Sequence, residues 1–97
     1  MSQRPQFSFR LFVAGDAPNS VMAVANLTAF CRDHLADRSE IEIIDVFREP
    51  TCALAEGIFM TPTLVISAPP PVSRIVGTLS QLQTVLQTLG LLDTTVL

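Results

Sequence analysis

Apolar and polar residues alternate near the start of the chain, and this alternation predicts a β-strand over 7–14. Its later part is apolar on both faces, as in an inner strand. After a turn over 15–19, apolar residues recur at helical spacing, and Asn19 or Ser20 is positioned to cap that helix. The helical apolar positions are Val21, Val24, Leu27, Cys31 and Leu35. A second short strand over 41–46 completes a strand–helix–strand unit, whose strands we expect to be parallel neighbours.

The second half of the chain continues with shorter elements. A short helix is expected over 51–56, with Pro50 near its start and Gly57 at its end. Two strands follow, over 64–66 and 74–76, and their closeness in sequence predicts an antiparallel pair. The last helix is expected over 80–89. Ser80 and Gln83 fit a capping box there, and the apolar face consists of Leu82, Val85, Leu86 and Leu89.

The element order β-α-β-α-β-β-α is that of the thioredoxin-like α/β fold. It predicts a four-stranded mixed sheet with helices on both faces, in a single domain over 1–97 with a core of about 7–92. In that fold a cis-proline precedes the third strand. We therefore expect a cis peptide bond between Thr61 and Pro62.

The composition narrows the classes of function. Hydrophobic residues make up 48% of the chain and charged residues only 15%, which leaves apolar surface for a partner or a homo-oligomer. The net charge is −3, and the six basic residues are scattered arginines, so nucleic-acid binding is not expected. No apolar run reaches the ~18 residues of a membrane span. We therefore expect a cytoplasmic protein that does not bind membranes.

The cysteines are not placed for redox catalysis. Thioredoxin-like enzymes carry their reactive cysteine at the start of the first helix, where the helix dipole lowers its pKa. The corresponding segment, 15–21, contains none. Cys31 and Cys52 are interpreted as buried thiols, with a disulfide as the alternative.

The remaining polar candidates, His34 and Asp45, do not form a predicted metal or catalytic site. His34 shares a helix face with Cys31, but two ligands do not hold a structural zinc ion, so His34 is interpreted as a surface residue. Asp45 is interpreted as a strand-end residue that accepts turn hydrogen bonds, with a buried carboxylate of raised pKa as the alternative. No catalytic residue, metal or cofactor is expected.

Several motifs together resemble the KaiB proteins of the cyanobacterial circadian clock. They are residues 11–15 (LFVAG) with 18–21 (PNSV), 44–46 (IDV) with Pro50, 61–64 (TPTL), and 69–72 (PPPV) with Arg74, Ile75, Gly77, Leu79 and Ser80. The resemblance runs without gaps over about 9–92. It implies a non-enzymatic protein that binds the ring of a KaiC-like ATPase, with KaiA-like or SasA-like proteins as further partners.

The resemblance also implies a partner-binding surface around the short second helix. The positions are Met22, Thr51, Ala55, Gly57 and Ser73. Clock members of the family usually carry Arg, Lys and Arg where this chain has Met22, Gly57 and Ser73. Charge complementarity on that surface is therefore expected to be weaker here, as in a divergent member that serves the clock or a related stress or signalling pathway.

Family members can also adopt a second fold, in which the C-terminal half rearranges. Thr88 and Gly90 stand where the family typically has Gly and Asp, and both changes favour the thioredoxin-like state. Two other functions remain open at this point. One is a thiol- or peroxide-handling relative of thioredoxin, and the other is a stand-alone sensor module of a SasA-type histidine kinase.

Overall fold

The computed structural model describes residues 6–92 of the chain, and its elements follow the predicted order. The first helix continues into a π-helical turn at Cys31–Leu35. The elements are β1 (Phe7–Val13), α1 (Pro18–Phe30), β2 (Ser39–Asp45), α2 (Pro50–Ala55), β3 (Thr63–Ala68), β4 (Ser73–Val76) and α3 (Leu82–Thr88).

The four strands form one mixed sheet in the order β2-β1-β3-β4. Strand β1 is parallel to β2 and antiparallel to β3, and β4 is antiparallel to β3. This arrangement confirms the predicted parallel and antiparallel pairs. Strands β1 and β2 end, and β3 begins, at one end of the sheet, which we call the Pro62 end because Pro62 directly precedes β3. The opposite end, where β3 runs into Pro69, is the Pro69 end.

Helices cover both faces of the sheet, as predicted, and each face has its own apolar core. On one face, α1 and α3 bury a large cluster that includes Phe9, Leu27 and Leu86. On the other face, the shorter α2 covers a smaller cluster. Its buried members are Phe12, Ile44, Ala53, Ile58 and Val65. This second face is only partly covered, because α2 has six residues.

Helix α1 begins earlier than its capping pattern predicts. Pro18 occupies the first helical position, where its fixed φ suits the helix and its missing N–H is no loss. Asn19 and Ser20 therefore both lie inside the helix, and the predicted N-cap role is wrong for each of them. Ser20 is the buried one of the two. The Ser20 hydroxyl instead accepts a hydrogen bond from the Ala14 N–H at 3.0 Å. The buried face of α1 also differs from the predicted one. Ala23 faces the core, whereas Val21, which was predicted to face it, is exposed.

Helix α3 begins later than expected, and the Ser80 capping box does not form. Leu79 is buried in the large core with a left-handed φ of 67°, and its carbonyl accepts a hydrogen bond from the Leu82 N–H at 3.3 Å, which closes a turn over 79–82. Ser80 is left exposed, and the helix starts at Leu82 after Gln81. Val85 is half-buried and Leu89 is exposed, so the apolar face is narrower than the sequence suggests.

Two glycines end helices in the conformation predicted for them. Gly57 follows α2 with φ of 68°, and Gly90 follows α3 with φ of 77°, a region that residues with a Cβ enter only at a cost. The Thr61–Pro62 peptide bond is cis, and Pro62 is buried. Over residues 6–92, no helix combines the length and the apolar character needed to cross a lipid bilayer.

Candidate partner-binding surface

Helix α2 is too short to be stable alone, so its position depends on contacts with the sheet. Pro50 starts the helix, and Ala53 and Ile58 anchor it over the smaller core. Three side chains on its outer surface are exposed to solvent, namely Thr51, Leu54 and Ala55. The helix therefore presents an open face at the Pro62 end of the sheet.

Arg10 on β1 fixes the inner side of α2. Its guanidinium lies 3.1 Å from the Glu56 carboxylate and donates a hydrogen bond to the Cys52 thiol at 3.2 Å. It also pairs with Glu42 of β2 at 3.3 Å and lies over the Phe12 ring, 5.3 Å from its centroid. Although partial burial opposes the charge, the hydrogen bond and charge of Glu56 raise the pKa of Arg10 above its usual value.

Arg74 on β4 fixes the end of α2 from the other side. Its guanidinium donates to the carbonyl oxygen of Gly57 at 3.3 Å and to that of Glu56. Carbonyls at a helix C-terminus lack partners within the helix, so Arg74 supplies donors where the helix has none. Val65 on β3 pairs with Arg10 on one side and with Arg74 on the other. The two arginines therefore lie on either side of Val65, on the face of the sheet that α2 covers.

The structure brings together most, but not all, of the partner-binding positions inferred from the resemblance. Thr51, Ala55 and Gly57 lie on or directly after α2. Met22 is half-exposed on the first turns of α1, at the same Pro62 end but across the sheet from α2. Ser73 begins β4 at the opposite, Pro69 end, where it pairs with Ile66. Ser73 therefore lies apart from the other four.

Sequence reasoning missed the apolar residues that surround α2. Phe59, Met60 and Val76 line a small groove of about 170 Å³ together with Gly57 and Arg74. The Phe59 side chain is 89% exposed, and Leu54 on α2 is 72% exposed. The signal was present in the sequence, because the apolar run Ile58–Phe59–Met60 falls between two predicted elements and only Ile58 of the three is buried.

Phe47, in the segment after β2, is a further exposed apolar side chain at the Pro62 end. Its ring packs over Gly15, where a side-chain Cβ would lie 3.5 Å from the ring. Asp45 positions this turn, since its carboxylate accepts hydrogen bonds from the N–H groups of Gly15 at 3.3 Å and Phe47 at 2.9 Å. The strand-end interpretation of Asp45 is confirmed.

Both cysteines are free thiols, so the disulfide alternative is wrong. They lie on opposite faces of the sheet, because Cys31 belongs to the large core and Cys52 packs against the small one. Burial raises the pKa of the Cys31 thiol, although a hydrogen bond with Ser39 opposes the shift. Cys52 is only half-buried and bonds to Arg10, so it is not the purely apolar thiol expected from the sequence.

The place of the reactive cysteine in thioredoxin enzymes holds Ala17 and Pro18, at the start of α1. His34 is exposed, as predicted, and its ring lies 4.7 Å from that of Phe30. Within residues 6–92, His, Cys, Asp and Glu side chains form no group of three suited to a metal ion.

Comparison with known proteins gives consistent sequence matches. The family model for the KaiB domain matches residues 10–91. A circadian clock protein KaiB3 of a Synechocystis species is 42% identical over 77 residues, which cover 79% of this chain and 76% of that protein. A circadian clock oscillator protein KaiB of Prochlorococcus marinus is 40% identical over 92 residues, which cover 95% of this chain and 77% of that protein.

Solved structures agree on the fold. The N-terminal domain of Synechococcus elongatus SasA superposes with a TM-score of 0.74 at 19% identity, covering 100% of this chain and 94% of that one. Chloroplastic thioredoxin z superposes with the same TM-score of 0.74 at 22% identity, covering 90% of this chain and 80% of that one. The chain thus has a thioredoxin-like fold, as predicted.

Proposed function

The chain belongs to the KaiB family, and on that premise we propose that it is a non-enzymatic cytoplasmic protein that binds the ring of a KaiC-type ATPase. Through that contact it modulates a circadian-clock output or a related stress or signalling output. The observation that carries the proposal is the family match over residues 10–91. The relatives at about 40% identity are named as circadian clock proteins, which supports the clock role.

The geometry supports α2 as the centre of the contact. Thr51 and Ala55 are exposed on its outer face, and Met22 is accessible at the same end of the sheet. Two arginines hold the helix in place from within, so this face is ordered before a partner arrives. A preorganised surface lowers the entropic cost of association. Ser73 is proposed as a separate, peripheral contact, because it lies at the Pro69 end.

The absence of a reactive group at the start of α1 supports binding over thiol catalysis. Ala17 and Pro18 occupy that place, and Cys31 is buried with a raised pKa. A thiol of raised pKa is a poor nucleophile at neutral pH, because the thiolate is the reactive form.

The test is a binding measurement with each KaiC-type ATPase of the source organism, in the presence of ATP and of ADP. We expect the purified chain to co-elute with at least one of these rings in size-exclusion chromatography. The variant Ala55→Arg places a bulky cation on the exposed face of α2, and it is expected to weaken binding by about tenfold or more. Thr84→Arg makes the same change on the exposed face of α3 and should bind like wild type.

Two outcomes would overturn the proposal. One is the absence of a complex with every KaiC-type ATPase in both nucleotide states. The other is binding that Ala55→Arg leaves unchanged, which would remove α2 from the interface.

A further inference from the structure

An open cavity lies at the Pro69 end of the sheet, the end opposite the candidate partner-binding surface. Its volume is about 460 Å³, within the range of about 300–1,000 Å³ that is usual for small-molecule sites. The start of β1, the segment after α1 and helix α3 meet around it. Its polar lining side chains are Gln6, His34, Arg38, Gln83 and Gln87. The cavity therefore has the size of a metabolite site and a polar lining.

Backbone hydrogen bonds fix Arg38 at the wall of this cavity. Its N–H donates to the carbonyl oxygen of Leu35 at 2.8 Å, and its own carbonyl oxygen accepts a hydrogen bond from the N–H of Phe7 at 3.0 Å. The π-helical turn at Cys31–Leu35 directly precedes this segment and carries His34. Such turns are rare in proteins and are frequent at functional sites. The local backbone thus brings His34 and Arg38 to the same cavity.

Neutral groups hold the guanidinium of Arg38. It donates to the carbonyl oxygens of His34 at 3.0 Å and Leu35 at 3.4 Å, and to the side-chain oxygen of Gln6 at 3.1 Å. Among residues 6–92, none of the ion pairs includes Arg38. Its charge is therefore not compensated by a carboxylate of the described chain, and the guanidinium has more N–H groups than these three bonds use.

The side chains around Arg38 add further hydrogen-bond donors. Gln83 and Gln87 lie one turn apart on α3, so both carboxamides line the same cavity. The imidazole of His34 has an N–H donor in either neutral tautomer. The described lining includes no Asp or Glu. A guanidinium surrounded by neutral donors suits the oxygens of a carboxylate or a phosphate group.

We propose that this cavity binds a small organic anion through its carboxylate or phosphate group, with Arg38 as the main contact. The apolar lining residues Phe7 and Leu91 fit the carbon skeleton of such a molecule. The net charge of −3 opposes a general attraction of anions, so binding depends on the local donors. Because the cavity lies at the opposite end of the sheet from α2, this inference is independent of the proposed function.

An NMR titration of the full chain tests the site with citrate, glucose 6-phosphate and inorganic phosphate as probes. We expect citrate or glucose 6-phosphate to shift the backbone signals of Arg38 and Gln87 with a Kd of about 1 mM or lower. The signals of Thr51 and Ala55 on α2 should not move. The probe that binds identifies the group that is recognised. Inorganic phosphate should bind about tenfold more weakly, because it has no carbon skeleton to bury.

Charge-matched variants test the role of Arg38. Arg38→Gln is expected to raise the Kd by about tenfold, because the bonds lost are charge-assisted. Arg48→Gln removes the same charge from an exposed residue after β2, at the Pro62 end, and should change the Kd by less than about twofold. Circular dichroism of both variants checks that the fold is kept.

A second pair of variants leaves Arg38 and its bonds to the turn intact. Gln87→Glu places a carboxylate in the cavity lining, where it repels the anion and competes for the guanidinium, so the Kd should rise by about tenfold. Gln81→Glu adds the same charge at an exposed residue just before α3 and should change the Kd by less than about twofold.

Three results would overturn the inference. The first is the absence of shifts around the cavity with every probe up to about 10 mM. The second is equal weakening by Arg48→Gln and Arg38→Gln, which would show a general response to net charge. The third is inorganic phosphate binding as tightly as the organic probes, which would show that the site does not recognise an organic molecule. None of these results bears on the ring contact, which is measured separately.

Discussion

At the scale of single residues, burial determines which polar side chains contribute to the stability of the fold. Ser20 and Ser80 were both expected to cap helices, yet neither caps one. Ser20 is buried and its hydroxyl satisfies the Ala14 N–H at the turn between β1 and α1. Ser80 is exposed. A serine therefore stabilises the fold at position 20, where it is buried and hydrogen-bonded, and contributes little at position 80, where it is exposed.

The two serines give a direct comparison of stability. Ser20→Ala is expected to lower the free energy of unfolding by about 1 kcal/mol, because the Ala14 N–H loses its acceptor in a partly buried turn. Ser80→Ala should stay within about 0.5 kcal/mol of wild type. Urea unfolding followed by circular dichroism measures both. If Ser80→Ala proved the more costly change, the capping box would exist in solution and the assignment of roles would be reversed.

At the scale of elements, α2 is an ordered helix only because the sheet holds it. Its six residues cannot bury enough surface to be helical alone. Ala53 and Ile58 supply the apolar contact, and Arg10 and Arg74 supply polar contacts at its inner side and its end. The order of the proposed partner-binding face thus depends on side chains from β1 and β4.

Removing either arginine should loosen α2 before the rest of the protein. In Arg10→Met or Arg74→Met, amide hydrogen exchange at Gly57 and Ile58 is expected to quicken by about fivefold, corresponding to about 1 kcal/mol of local stability. Exchange in the central strand β1 should change less. Arg32→Met is the control, since its ion pair with Asp33 is exposed and local in sequence. Equal acceleration throughout β1 and α2 would mean that the arginines act on global stability rather than on the helix.

At the scale of the whole molecule, the alkaline limit of stability depends on very few groups. The chain has no Lys and no Tyr, and its arginines stay charged far above neutral pH. The Cys31 thiol is therefore one of the few groups that can lose a proton in the alkaline range. Cys31 is buried in the large core, and its pKa is raised there.

This gives a signed prediction for stability against pH. The ordinary pKa of the Cys31 thiol is about 9.0, and burial raises it in the folded protein. The unfolded chain therefore releases this proton at lower pH than the folded one, so the stabilisation is fully present below about pH 9.0 and is lost as pH rises toward the folded pKa. Unfolding free energies measured from pH 7 to 10.5 should fall by at most about 1.4 kcal/mol per pH unit.

Alanine variants of the two cysteines distinguish the effect of the Cys31 thiol on alkaline stability from that of the Cys52 thiol. Cys31→Ala is expected to be less stable at neutral pH, because it removes buried volume, but to show a flatter decline above about pH 9. Cys52→Ala should retain the decline. A wild-type curve that Cys31→Ala reproduces at every pH would show that the buried thiol does not control alkaline stability.

Local sequence patterns determined the elements and their order. The alternation over 7–14, apolar on both faces toward its end, predicted an inner strand, and β1 is one. The single helix between β1 and β2 required a parallel pair. Gly57 and Gly90 end helices where the sequence placed the ends. These features depend on the spacing of apolar side chains and on the backbone conformations open to each residue. Both are set by residues that are close together in the sequence.

Only the tertiary structure decided which residues meet across the fold. Arg10 reaches Cys52 and Glu56 because β1 and α2 lie against each other, although they are far apart in the chain. Leu79 is buried in the large core, and the turn that it forms with Leu82 stands where the Ser80 capping box was predicted. Exposed apolar side chains such as Met22, Leu54 and Phe59 come from separate segments of the chain and lie at the Pro62 end. Such contacts depend on distances through space, and the spacing of residues along the chain does not contain them.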